Sequence, residues 1–156
     1  MKNYQKLILS ILLPLALGML GSVFTSSSLS DWYANLVKPD FSPSNWLFAP
    51  AWTALYILMG LSFYYIWKMG YSRKTKLAFH IYFIQLFLNL LWSFLFFGLR
   101  NPLLGLVEIV MLWFVIAANI LLFYGLNKNS AYLLVPYILW VSFASVLNYY
   151  MFILNA

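Results

Sequence analysis

Five long apolar runs, separated by short polar clusters, organise the chain. Residues 7–30, 41–67 and 129–156 carry no charged side chain; 77–99 carries none apart from His80, and 101–127 carries only Glu108. A helix needs about 20 apolar residues to cross the hydrocarbon core of a bilayer, so each run is long enough. The apolar positions do not alternate with polar ones, as strands of a membrane barrel would require. Lipid leaves exposed backbone groups unpaired, which makes helices the remaining solution. The pattern predicts an all-α integral membrane bundle of five transmembrane helices, forming a single domain over 1–156. The helices are expected near 6–26, 46–67, 77–97, 102–126 and 131–154, with a long, partly helical, lid-like first loop at 27–45.

Composition sharpens this picture. Apolar residues make up 65% of the 156 residues and charged ones 8%, against about 25% charged in an average soluble domain. There is no cysteine, which removes disulfides, thiolate metal sites and cysteine nucleophiles. Aromatic content is 21%, including seven Trp. A cleaved signal peptide at the N-terminus is the weaker reading of the first run, because the apolar stretch 7–24 exceeds a usual signal core.

Charge then sets an expected orientation. Of the nine Lys and Arg, Lys2, Lys6, Lys68, Arg73, Lys74, Lys76 and Lys128 fall on one side and Lys38 and Arg100 on the other. The excess of cations belongs on the cytoplasmic side. The N-terminus is therefore expected in the cytoplasm, and the first loop and C-terminus outside, in the cell membrane. No basic face suits a nucleic acid; the 68–76 loop is placed to meet anionic lipid head groups.

The first loop holds two of the three acidic residues, Pro39 and Pro43, and the pair Trp32–Tyr33. Ser30 is expected to cap a short helix over 31–37, with Pro39 ending it. The loop reads either as an interfacial aromatic belt or as a lid. Beneath it, at about 1.5 Å per residue, Trp52, Asn89, Trp92, Glu108 and Asn148 share one depth in the outer leaflet. Trp52 and Tyr56 share a helix face, as do Gln85, Asn89, Trp92 and Phe96, and as do Trp140, Ala144 and Asn148. Such residues either bond neighbouring helices and fill the core, or wall a pocket for a flat apolar ligand whose edge bonds Trp N–H and Asn groups. Gly18 and Gly21 point to close helix packing, Pro14 and Pro136 to kinks, and Trp113 to packing or lipid contact. No metal site, nucleophile–base pair or phosphate loop is present. No conventional enzyme and no required cofactor are expected.

Residues 32–39 (WYANLVKP), Ser42-Pro43 and 49–56 (APAWTALY) resemble the signature of the translocator protein family. Its bacterial members are the tryptophan-rich sensory proteins, TspO. The third helix adds 85–92 (QLFLNLLW) and 96–98 (FFG); the fifth adds 136–140 (PYILW), 143–145 (FAS) and 147–149 (LNY). The resemblance runs over about 10–154. It implies a five-helix bundle, commonly a homodimer, that binds porphyrins such as protoporphyrin IX and haem-like tetrapyrroles, and benzodiazepine-type ligands, in a cavity under the first loop. On matching positions it implies ligand contact at Trp32, Tyr33, Asn89, Trp92 and Ala144, with Ala51 and Tyr56 beside them. Trp52 and Trp140 match the pair tied to light-dependent porphyrin breakdown, which makes them redox candidates. Asn148 joins the expected site by its depth and helix face. Glu108 stands where the family has an acidic residue. The sterol pattern of mammalian members requires a Lys or Arg that is missing from 151–156, so cholesterol transport is not implied. Transport of tetrapyrroles or other lipophilic solutes is the competing function; no internal repeat supports it.

Overall fold

The structure, a computed structural model, describes residues 1–156. It is all-helical, with five helices long and apolar enough to cross a membrane. The first is α1 (Asn3–Leu29), followed by the short α2 (Trp32–Asn35). A 3₁₀ turn at Asn45–Leu47 leads into α3 (Phe48–Lys68). Next come α4 (Lys76–Ser93), which widens into a π-helical turn at Phe94–Gly98, and α5 (Pro102–Leu126). The last span is broken into α6 (Lys128–Leu133) and α7 (Val135–Leu154).

The termini follow from local chemistry. Asn101 caps α5, its side chain accepting from the Leu104 amide at 3.0 Å, and Pro102 occupies the first turn, where no N–H is needed. Asn127 caps α6 through the Ser130 amide at 3.0 Å. Pro136 breaks the expected single helix at Leu134 and opens α7, rather than kinking a continuous one. Pro14 lies buried within an unbroken α1. Two loop expectations are corrected. Ser30 ends α1 rather than capping α2, whose N-cap position is Asp31, and no side chain caps it. Helix α2 stops at Asn35, before Pro39, because Leu36 is already extended; Pro39 instead begins a turn closed by the Ser42 amide at 2.9 Å.

The long helices pack as a closed ring. Helix α1 lies along α3; α3 meets α6 and α7; α7 packs on α5, α5 on α4, and α4 returns to α1. Small residues permit the tightest approaches. A Cβ on Gly60 of α3 would lie 2.6 Å from the Ile11 Cα of α1. At the end bearing Lys68 and Lys128 the ring is filled by Met59, Phe63, Tyr82, Leu112, Ile116, Phe123 and Leu134. Lys6 Nζ donates to the Trp67 carbonyl at 3.1 Å, which ties the N-terminus to that end. At the opposite end, beneath α2, the ring is not filled.

Candidate ligand cavity

The unfilled end holds a cavity of about 580 Å³, within the range of about 300–1,000 Å³ usual for small-molecule sites. Four spans and the first loop wall it, while α5 stays behind the wall. On α3 the lining positions are Phe48, Ala49, Trp52, Thr53 and Tyr56, one helical face. Ala51 falls off that face and is half-buried elsewhere. Helix α4 contributes Asn89 and Trp92, and the π-helical turn after it Phe96 and Phe97; α7 contributes Trp140, Ala144, Leu147 and Asn148. Tyr33 of α2 closes the top. Trp32 does not line the cavity; its ring packs edge-on to Phe96 at 5.4 Å and seats α2 on α4. The structure thus brings together eight of the ten predicted site residues and sets Ala51 and Trp32 outside the lining.

The aromatic walls are ordered. Trp52 stacks on Tyr56 with centroids 5.6 Å apart and on Trp92 at 6.5 Å, and Trp92 stacks on Phe96 at 5.3 Å with planes 13° apart. Trp140 meets Phe48 edge-on at 6.1 Å on the other side. The sequence predicts Trp N–H and Asn groups as polar contacts for a ligand edge, and the structure redistributes them. Asn89 Oδ1 accepts from the Tyr56 hydroxyl at 2.7 Å, and its Nδ2 donates to the Tyr137 hydroxyl at 2.9 Å. Asn89 is therefore first a tie between α3, α4 and α7. The indole N–H groups of Trp92 and Trp140 are buried in the wall without an acceptor, as is Asn148 Oδ1 without a donor. Trp113 is a packing residue, its Nε1 donating to Ser142 Oγ at 2.8 Å. Trp46, by contrast, is exposed.

Sequence reasoning missed the α1 wall. Gly18, Ser22 and Thr25 line the cavity from a helix read only as a packing partner. A side chain at Gly18 would collide with the Tyr56 ring, so this glycine keeps room for a lining aromatic. A small-residue stripe at 18, 22 and 25, spaced by four and three, was the available signal. The lid's clamp was also missed. Asn155 Oδ1 accepts from the Val37 amide at 2.9 Å, and its Nδ2 donates to the Val37 carbonyl at 2.9 Å. One side chain thereby pairs both backbone groups of a loop residue 118 positions away. Arg100 adds an ion pair to Asp31 at 3.1 Å, and Ser28 Oγ donates to the Phe97 carbonyl at 2.8 Å. Burial raises the Tyr33 phenol above its ordinary range, which keeps it neutral under the lid, and Lys38 Nζ stands 4.7 Å from its ring centroid.

Five spans around a roofed aromatic cavity define an integral membrane protein of the receptor type. A TspO/MBR family profile matches residues 10–154, and the chain belongs to that family. It is 48% identical to "Tryptophan-rich protein TspO" of Archaeoglobus fulgidus, over 99% of each chain. It is 39% identical to the bovine (Bos taurus) "Translocator protein", over 90% of this chain and 84% of that one. It is 37% identical to a "Tryptophan-rich sensory protein" of Cereibacter sphaeroides, over 76% of this chain and 73% of that one. The family and these names support a membrane sensor or receptor role.

Proposed function

We propose that the protein is a membrane receptor for porphyrins and related flat, lipophilic ligands, held in the cavity beneath the first loop. The observation that carries this reading is the stacked wall of Tyr56, Trp52, Trp92 and Phe96 facing the cavity. Aromatic faces attract a planar π-system by stacking, and an apolar enclosure removes its surface from water. Tyr33 and the Asn155 clamp hold the roof over the ligand. The gathering of Lys2, Lys6, Lys68, Lys76 and Lys128 at the closed end supports a cytoplasmic placement of that end. The cavity then opens toward the outer face.

Titration of the purified protein with protoporphyrin IX, followed by Trp fluorescence quenching, tests the reading. Saturable binding is expected, and a Trp52→Phe/Trp140→Phe double variant should bind several-fold more weakly. Unchanged affinity in that variant would remove this cavity as the site. A light-dependent breakdown of the bound porphyrin is the further reaction that Trp52 and Trp140 would serve. The protein then has to yield a product that free porphyrin in detergent does not form under the same light.

A further inference from the structure

Glu108 of α5 lies at membrane depth, 1% exposed, and neither of its carboxylate oxygens accepts a hydrogen bond. A bare carboxylate there is among the costliest states a side chain can adopt. Asn148 of α7 is 3% exposed; its Nδ2 donates to the Ala144 carbonyl at 3.1 Å, and its Oδ1 is unpartnered. Gly105, one turn before Glu108, sits between the Phe96 side chain and α7: a Cβ there would lie 2.7 Å from Phe96 Cδ2 and 3.2 Å from Asn148 Oδ1. Helical side chains lean toward their own N-terminus, so Glu108 leans over the bare backbone of Gly105 toward that oxygen. Two buried acceptors without a donor thus lie on facing helices, on either side of Gly105. One proton on the carboxyl supplies the donor and removes the charge together.

No cation competes for the role. On the elements packed against α5, the charged or basic groups are Lys76 and His80 of α4 and Lys128 of α6, all exposed and toward the other end. The π-helical turn and α7 carry none. The buried titratable groups on these elements are Tyr82 of α4 and Tyr137 of α7. The first donates to the Met59 carbonyl at 3.3 Å, and the second accepts from Asn89. Arg100, before the start of α5, pairs with Asp31.

We propose that Glu108 is a membrane-embedded proton site: a neutral carboxylic acid whose O–H donates to Asn148 Oδ1, and through it braces a wall of the ligand cavity. Loss of the proton places a negative charge behind Asn148. This second consequence rests on the porphyrin reading, since a porphyrin bearing carboxylates would then bind more weakly.

Infrared spectroscopy of the full chain in lipid bilayers tests the site. The only other acidic side chains, Asp31 and Asp40, are exposed in the first loop. A protonated-carboxyl C=O band at pH 7 therefore belongs to Glu108. It is expected in the parent and in Asp31→Asn/Asp40→Asn, absent in Glu108→Gln, and moved to higher wavenumber in Asn148→Ala. Glu108→Gln keeps a donor for Asn148 and is expected to fold. Absence of the band at pH 7, its survival in Glu108→Gln, or no movement in Asn148→Ala overturns the proposal. So does a carboxylate band that responds to exchange of sodium for choline, which would identify a bound cation instead. In a second arm, protoporphyrin affinity should fall by about tenfold as pH rises through loss of the band, and stay flat in Glu108→Gln. A flat profile in the parent removes the link to the cavity. No porphyrin binding at any pH refutes the receptor reading, while the infrared arm still decides the proton.

Discussion

Gly60→Ala adds one methyl group where the backbones of α1 and α3 approach closely. The new Cβ would lie 2.6 Å from both the Ile11 Cα and the Ser10 carbonyl oxygen of α1. Ordinary carbon contacts sit near about 3.5–4.0 Å, so α1 has to retreat by about 1 Å. Both obstacles are backbone, and no rotamer change relieves them. Overpacking of this kind costs about 1–3 kcal/mol, and the better helix propensity of Ala returns at most about 1 kcal/mol. With backbone on both sides the upper part of that cost applies, about 2–3 kcal/mol, so the net loss is about 1–2 kcal/mol, or about 5–30-fold in the folding equilibrium. Gly125→Ala, at a position with nothing within 4 Å of the added carbon, is the matched control. Reversible unfolding in mixed lipid–detergent micelles with added dodecyl sulfate, read by circular dichroism, gives both values. Gly60→Ala should unfold at a lower dodecyl sulfate fraction, and Gly125→Ala at the parental fraction or slightly above it. Because α1 also carries Gly18, Ser22 and Thr25 into the cavity, its retreat should weaken protoporphyrin binding as well. Parental stability in Gly60→Ala, or equal loss in both variants, would refute the claim that close backbone approach at Gly60 holds α1 to the bundle.

Three further outcomes are expected. Tyr56→Phe removes the donor to Asn89 Oδ1 and should cost about 0.6 kcal/mol, and at most about 1.7, in the same unfolding assay, the average and maximum measured for polar contacts between membrane helices; combined with Tyr137→Phe the effects should be non-additive, because both hydroxyls bond Asn89. Arg100 adopts a left-handed backbone, with φ of 53°; Arg100→Gly should therefore exceed Arg100→Ala in stability by about 1 kcal/mol, since both lose the exposed Asp31 pair but only Gly relieves the strain. Asn155→Ala should speed hydrogen exchange at the Val37 amide by about tenfold or more while leaving α4 and α5 protected, as expected for a loop residue whose backbone is paired by one side chain; unchanged exchange at Val37 would show that the clamp does not hold it.

The spans were legible because charge and length decide them. The structure has five spans in the order the apolar runs predict, and charged residues flank most of their ends. The break at Leu134 was not legible. Pro136 announces a disturbance, but kinking a helix and starting a new one read alike in sequence. The true start depends on the Asn127 cap and on packing of α6 against α3. The Val37–Asn155 clamp lies outside any local pattern, since it joins a loop residue to the last turn of α7 and neither carries a distinctive motif.

Depth and direction separate in the same way. A helix rises by a fixed amount per residue, so one count places Trp52, Asn89, Glu108 and Asn148 at a common level. Which wall each occupies depends on the order of helices around the ring, and only tertiary packing sets that order. The ring puts α5 behind α4 and α7, so Glu108 shares the depth of the cavity without lining it. Asn148 stands between the two, on the lining and against Gly105. The aromatic residues therefore face the cavity, while the one carboxyl at that level stands behind its wall. An acid placed there stays out of contact with a bound ring system and still senses it, because any ligand that reorients Asn148 changes the acceptor available to the Glu108 proton.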